Sequence, residues 1–132
     1  MKKILPHIYV ENCKEELEYY KQIFGGEIKN TQTGDGMEMF KGHEGKYIHA
    51  ELHINENCVI YFADAFRPLI KGDNVWTTLD ISSEEEINSI YEKLSKDGEI
   101  HMELQDTFWN SRFAVVKDKN GFTWELNYAK QV

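Results

Sequence analysis

Two cysteines among 132 residues are too few for a disulfide framework. Cys13 and Cys58 also lack the spacing of a metal or redox motif, so both read as free thiols without a chemical role. Cations are scarce too: 15 Lys and Arg stand against 23 Asp and Glu, for a formal net charge of -8. That balance speaks against a non-specific binder of phosphate backbones, which needs a basic face. Such acidity suits cationic ligands, but ordinary cytosolic solubility explains it more simply. No apolar run approaches membrane-spanning length. The opening MKKIL has two lysines but no apolar segment after them, because Pro6-His7 interrupts. The expectation is a cytoplasmic protein with neither nucleic acid nor a membrane as partner.

What is present is a globular composition with 13% aromatic residues, a high share for this length. The length suits one domain, or two small fused halves sharing a core. The clearest stretch is SRFAVVKDKNGFTWELNY, from Ser111 to Tyr128. Residues 112–117 predict a strand, Asp118-Lys119-Asn120-Gly121 a turn, and residues 122–128 a second strand. In the second strand Phe122, Trp124 and Leu126 alternate with Thr123, Glu125 and Asn127, giving one apolar and one polar face.

Earlier, residues 4–10 predict a strand with Ile8 and Val10 on one face and Leu5, His7 and Tyr9 on the other. Asn12 is expected to cap a helix, with Glu15 completing a capping box. Leu17, Tyr20, Ile23 and Phe24 form its apolar stripe, and Gly25-Gly26 ends it. Residues 27–33 predict a strand. Residues 47–54 and 58–64 predict a hairpin, and residues 67–74 a linker. The order then recurs. Residues 75–81 predict a strand, Ser83 with Glu86 a helix cap, and Ile87, Ile90, Tyr91 and Leu94 the stripe. An offset of 71 carries Val10 to Ile81, Asn12 to Ser83, Glu15 to Glu86 and Tyr20 to Tyr91. An offset of 64 carries Asn57 to Gly121, Ile60 to Trp124 and Phe62 to Leu126. Cap, stripe, glycine and hairpin in one order, twice, predict an internal repeat. Each half is strand, helix, then about three strands, with one helix-covered sheet face. The other face needs a cover, and a cavity between two such sheets is a natural product.

These halves resemble the βαβββ modules of the vicinal oxygen chelate superfamily, which includes glyoxalase I, extradiol dioxygenases and bleomycin-resistance proteins. The likeness is greatest to its PhnB-like branch. It rests on Leu5-Pro6-His7-Ile8, Glu16-Leu17-Glu18-Tyr19-Tyr20, Phe24-Gly25-Gly26-Glu27 and His49-Ala50-Glu51-Leu52 in the first half. In the second half it rests on Phe108-Trp109, Arg112-Phe113, Asp118, Gly121 and Trp124-Glu125-Leu126-Asn127. Asn110 and Ala114 depart from the branch, where glycines are usual. The resemblance implies an α+β fold, with two βαβββ modules forming a curved mixed sheet around a cavity. It implies one domain over residues 1–132: module one about 1–66, linker about 67–74, module two about 75–130. It also implies paired chains. Some PhnB-like chains carry a methyltransferase label. That chemistry usually needs a glycine-rich turn opening a helix, and Asn12-Cys13-Lys14-Glu15 contains no glycine.

In metal-dependent relatives the resemblance places ligands early in the first strand and in the last strand of each half. Here those positions are Leu5, Trp76, Tyr61 and Glu125. Leucine and tryptophan cannot bind a divalent ion, neutral tyrosine binds poorly, and such a site needs about three protein ligands. No metal and no other cofactor is therefore expected. His49, Glu51 and His53 share one strand face with roots about 6.6 Å apart, too far to meet easily at one ion. They read as a polar sheet face or a dimer contact. Glu125 beside His7 could form an acid–base pair, but a hydrogen bond to His7, Thr78 or Asn127 is the simpler expectation. No Ser or Cys shows a base and an orienting group, so no catalytic residue is assigned. The expected ligand-binding residues are His7, Tyr9, Tyr61, Trp76, Thr78, Trp109, Glu125 and Asn127. The reading is a metal-independent small-molecule-binding homodimer, leaning away from an enzyme. Two alternatives stay open: a metal-dependent glyoxalase- or dioxygenase-type enzyme with a rearranged site, and a structural or regulatory dimer with a self-filled cavity.

Overall fold

The computed structural model describes residues 1–130. The chain forms two compact units, Met1–Ile70 and a second from Lys71 onward. In the first, β1 (His7–Val10) leads to α1 (Cys13–Phe24), β2 (Glu27–Thr33), a 3-10 turn (Glu38–Phe40), β3 (Tyr47–Asn55) and β4 (Cys58–Asp64). In the second, β5 (Trp76–Asp80) leads to α2 (Glu84–Asp97), β6 (Glu99–Asp106), β7 (Ser111–Lys117) and β8 (Thr123–Ala129). Each unit has one four-stranded mixed sheet, ordered β1-β4-β3-β2 and β5-β8-β7-β6. The first strand of each pairs in parallel with the last, and the other pairings are antiparallel. Neither helix is long and apolar enough to cross a membrane.

The repeat holds at the level of strand register. His7 stands opposite Tyr61 and Thr78 opposite Glu125, positions that the two offsets interconvert. Leu52 opposite Ile60 likewise becomes Val116 opposite Trp124. Even a glycine requirement repeats. A Cβ on Gly26 would collide with the His53 carbonyl, and one on Gly98 with the Lys117 carbonyl. Only glycine lets the helix-to-strand connection pass so close to the adjoining strand.

Side-chain alternation then separates two faces per sheet. In the first unit Ile8, Val10, Ala50, Leu52, Ile60 and Phe62 are buried on the α1 side with Leu17, Tyr20, Ile23 and Phe24. The Tyr20 and Phe62 rings lie 5.3 Å apart. In the second unit Ala114, Val116, Trp124 and Leu126 are buried on the α2 side with Ile87, Ile90 and Leu94, while Tyr91 is half-buried.

The two helix starts differ. Ser83 caps α2, its hydroxyl accepting from the Glu86 amide at 3.1 Å, while the Ser82 amide donates to the Glu86 carboxylate at 3.2 Å. Asn12 does not cap α1. It sits in the left-handed region at φ 57 and its side chain accepts nothing from the helix. Buried Asp64, at the end of β4, accepts from the Cys13 amide at 2.9 Å and from the Tyr47 amide at 2.7 Å. A carboxylate from a distant strand thus replaces the expected local box, and its charge also suits the helix N-terminus. The expected first strand is shorter as well. It starts at His7, leaving Leu5 ahead of it.

Candidate functional site

On the side of the first sheet away from α1, period-two alternation brings His7 and Tyr9 of β1, Tyr61 of β4, and His49, Glu51 and His53 of β3 to one face. His7 and Tyr9 stack with centroids 4.5 Å apart and planes 16° apart. Tyr61 meets His7 edge-on at 6.0 Å and His49 at 4.7 Å. His7 and His49 lie 6.3 Å apart. Partial burial, and then the neighbouring His49, lower the His7 pKa below the usual imidazole value.

Glu51 is the hub of this face and is buried. His49 Nε2 approaches one carboxylate oxygen to 2.7 Å, and His53 Nε2 the other to 2.6 Å. The Asn30 amide donates to the second oxygen at 2.9 Å. Burial alone would raise the Glu51 pKa. The hydrogen bonds from His49, His53 and Asn30 outweigh it and hold the value at about 2. An ionised carboxylate only accepts, so both Nε2 atoms carry hydrogen and both Nδ1 atoms are bare in the neutral rings. Asn30 reaches Glu51 because β2 is irregular here. Its register breaks between Lys29 and Gln32, and Asn30 takes a left-handed φ of 54.

The second unit presents a sparser set. Thr78 donates to Glu125 at 2.9 Å, and Asn127 follows two positions along β8. Trp76 is exposed and its indole N–H donates to the Asp73 carbonyl at 2.7 Å. Trp109 lies on the β6–β7 turn, where its ring meets Phe108 at 4.8 Å and Phe113 at 6.0 Å. Asn110 adopts φ 61 there, a conformation that glycine takes freely. Thus His7, Tyr9 and Tyr61 converge within one unit and Thr78 with Glu125 in the other, while Trp76 and Trp109 occupy local settings of their own.

Among the described residues no three His, Cys, Asp or Glu side chains are grouped to hold one metal ion. The positions expected of metal ligands do not fit one either: Leu5 has no donor, Trp76 has only an engaged N–H, and Glu125 accepts from Thr78. A profile of the glyoxalase/bleomycin resistance protein/dioxygenase superfamily matches residues 4–126. The chain belongs to that superfamily. Within it, Protein YjdN of Escherichia coli K12 is 28% identical, over 93% of this chain and 92% of its own length. A solved Bacillus cereus PhnB protein, described as a putative 3-demethylubiquinone-9 3-methyltransferase, superposes with a TM-score of 0.79 at 27% identity, over 97% of this chain and all of that one. Protein PA1353 of Pseudomonas aeruginosa superposes with a TM-score of 0.84 at 24% identity, over 99% of this chain and all of that one.

Alternation alone assigns His49, Glu51 and His53 to a polar sheet face or a dimer contact. The structure adds that His7 and Tyr61 share that face. A usable signal was present. A regular hairpin turning at Asn55–Asn57 sets Glu51 opposite Tyr61, and that pair is observed, although Asn55 itself pairs with Cys58 and the register shifts between His53 and Asn55.

Proposed function

We propose that this member of the superfamily is a metal-independent small-molecule-binding protein that works as a homodimer. The observation that carries the reading is the side-chain chemistry at the four expected ligand positions: Leu5, Tyr61, Trp76 and Glu125. Three lack a donor suited to a divalent ion, and the fourth is a lone carboxylate already bonded to Thr78. One carboxylate retains transition ions too weakly to survive purification. The aromatic and polar residues on the sheet faces away from the helices supply a binding surface of the usual mixed kind. Pairing of chains is supported by exposed apolar groups on the second unit, notably Phe108 at 96%, Trp109 at 52%, Trp76, Ile100 and Met102. A second copy is the commonest cover for such surface.

The test is elemental analysis of untagged protein, with sedimentation and a ligand panel read by thermal shift. No stoichiometric zinc, nickel, iron or manganese, a dimer at micromolar concentration, and stabilisation by at least one compound are expected. One metal per chain that is lost in Glu125→Gln would overturn the reading.

A further inference from the structure

The proposed binding role leaves the ligand unnamed, and the Glu51 face narrows it. The fold is built twice, but this cluster is built once. At the repeat positions of His49, Glu51 and His53 the second unit has Phe113, Val115 and Lys117. The scaffold therefore does not require the cluster. Its assembly also uses an irregularity: a non-glycine residue, Asn30, held at positive φ with its amide on the Glu51 carboxylate. Asn30, His49 and His53 surround the carboxylate with three donors, and with both imidazoles neutral the group carries one net negative charge. Lys29 stands opposite Glu51 in register, but its ammonium lies 3.8 Å from Glu27. Beside the charge lie the stacked His7–Tyr9 pair, with Tyr9 half-exposed, and the Tyr61 ring.

We propose that this face of the first unit binds a small organic cation, an amine or quaternary ammonium group, seated on the rings of His7, Tyr9 and Tyr61 beside the Glu51 carboxylate. Ring faces attract cations through their quadrupole, and a nearby carboxylate adds to that field. A metal ion is the wrong occupant. Both Glu51 oxygens are engaged by donors, and each flanking imidazole turns a hydrogen inward rather than a lone pair. An anion would meet the carboxylate's repulsion. A neutral apolar ligand could use the rings but would ignore the charge, and this difference is what an experiment can read. The proposal rests on the binding role above and specifies its ligand class.

The probes are choline and its uncharged isostere 3,3-dimethylbutan-1-ol, titrated into the 132-residue protein by NMR at millimolar concentration and pH 8, above the ordinary imidazole value. Choline is expected to bind about tenfold more tightly, and the ratio should shrink as salt rises. Glu51→Gln should bring the ratio close to one. Glu92→Gln, which removes the same charge from an exposed site on α2, should leave it unchanged. Equal binding of the two probes, preference for the alcohol, or a ratio unmoved by Glu51→Gln overturns the proposal. Should Glu51→Gln not fold, the wild-type salt dependence decides alongside Tyr61→Leu, which should weaken choline severalfold. If neither probe binds while another compound stabilises the protein, the cation assignment falls and the binding role stands. If nothing binds, both fall.

Discussion

Replacing Trp124 by alanine removes the largest fully buried side chain of the protein. The indole is 1% exposed, on the α2 side of β8. Its N–H donates at 2.8 Å to the buried Asp118 carboxylate, which also accepts from the amides of Asn120 and Phe122 and so shapes the β7–β8 turn. Losing the ring typically costs about 3–5 kcal/mol. Losing a charge-assisted bond to a buried carboxylate adds about 1.5–3 kcal/mol. Together that is about 4–8 kcal/mol, against a typical total stability of about 5–15 kcal/mol. Trp124→Ala should therefore lose a large part of its stability, and Trp124→Phe, which keeps most of the apolar bulk, should lose about 2 kcal/mol. Glu125→Ala next door should lose less than about 1 kcal/mol, because Glu125 is half-buried and its Thr78 partner is exposed and can turn to water. Urea unfolding followed by far-UV circular dichroism is the assay, since it does not depend on the tryptophan being removed. The strand faces would be assigned the wrong way round if Glu125→Ala unfolded the protein and Trp124→Ala did not. A neutral Trp124→Phe would show that the Asp118 bond contributes nothing.

Further outcomes are expected. Asp64→Ala should cost about 2 kcal/mol by stripping the Cys13 and Tyr47 amides of their acceptor, whereas Asn12→Gly should be neutral or slightly stabilising; chemical denaturation compares them. The Glu51 pKa is depressed in the fold, so its contribution to stability is present above its ordinary value of 4.5 and disappears as pH falls through about 2. Wild type measured against Glu51→Gln should accordingly lose its relative stability across that window; a difference that grows as pH falls through it would contradict the hydrogen-bond assignment. Burial, then Asp64 and Glu16, push the Cys13 thiol up to about 12, while Cys58 is exposed. A thiol reagent at pH 8 should therefore label one cysteine in native protein and two only in denaturant.

Much of this was legible in the sequence because strand register obeys arithmetic. Once two offsets align the halves, the partner of His7 predicts the partner of Thr78. The Ser83 cap was equally legible, since hydroxyl, carboxylate and helix all lie within a few residues. The Asn12 cap failed for the opposite reason. Asp64 is 51 residues from Cys13, and local pattern cannot reveal that a distant carboxylate takes over a helix start. The Glu51 cluster was half legible. Alternation put His49, Glu51 and His53 on one face, but the Asn30 bulge depends on β2 breaking register, which no periodicity announces. Trp76 came from the repeat offset and Trp109 from the resemblance, and neither route shows the local partners they have, the Asp73 carbonyl and the Phe108 and Phe113 rings.

The alternation along β3 also means that two messages are interleaved in one strand. Ala50 and Leu52 face α1, and the same two positions are filled by Ala114 and Val116 in the second half. His49, Glu51 and His53, lying between them, have Phe113, Val115 and Lys117 as their counterparts. The helix-facing pair is apolar in both halves, while the opposite face differs at all three positions. The two sets are thus independent under substitution but inseparable under a shift of frame. A one-residue slip of β3 against its neighbours would turn the imidazoles and the carboxylate toward the helix and the alanine and leucine away from it. Three simultaneous substitutions at positions 49, 51 and 53 change the chemistry of a face, whereas a one-residue slip of the strand exchanges that chemistry with the core.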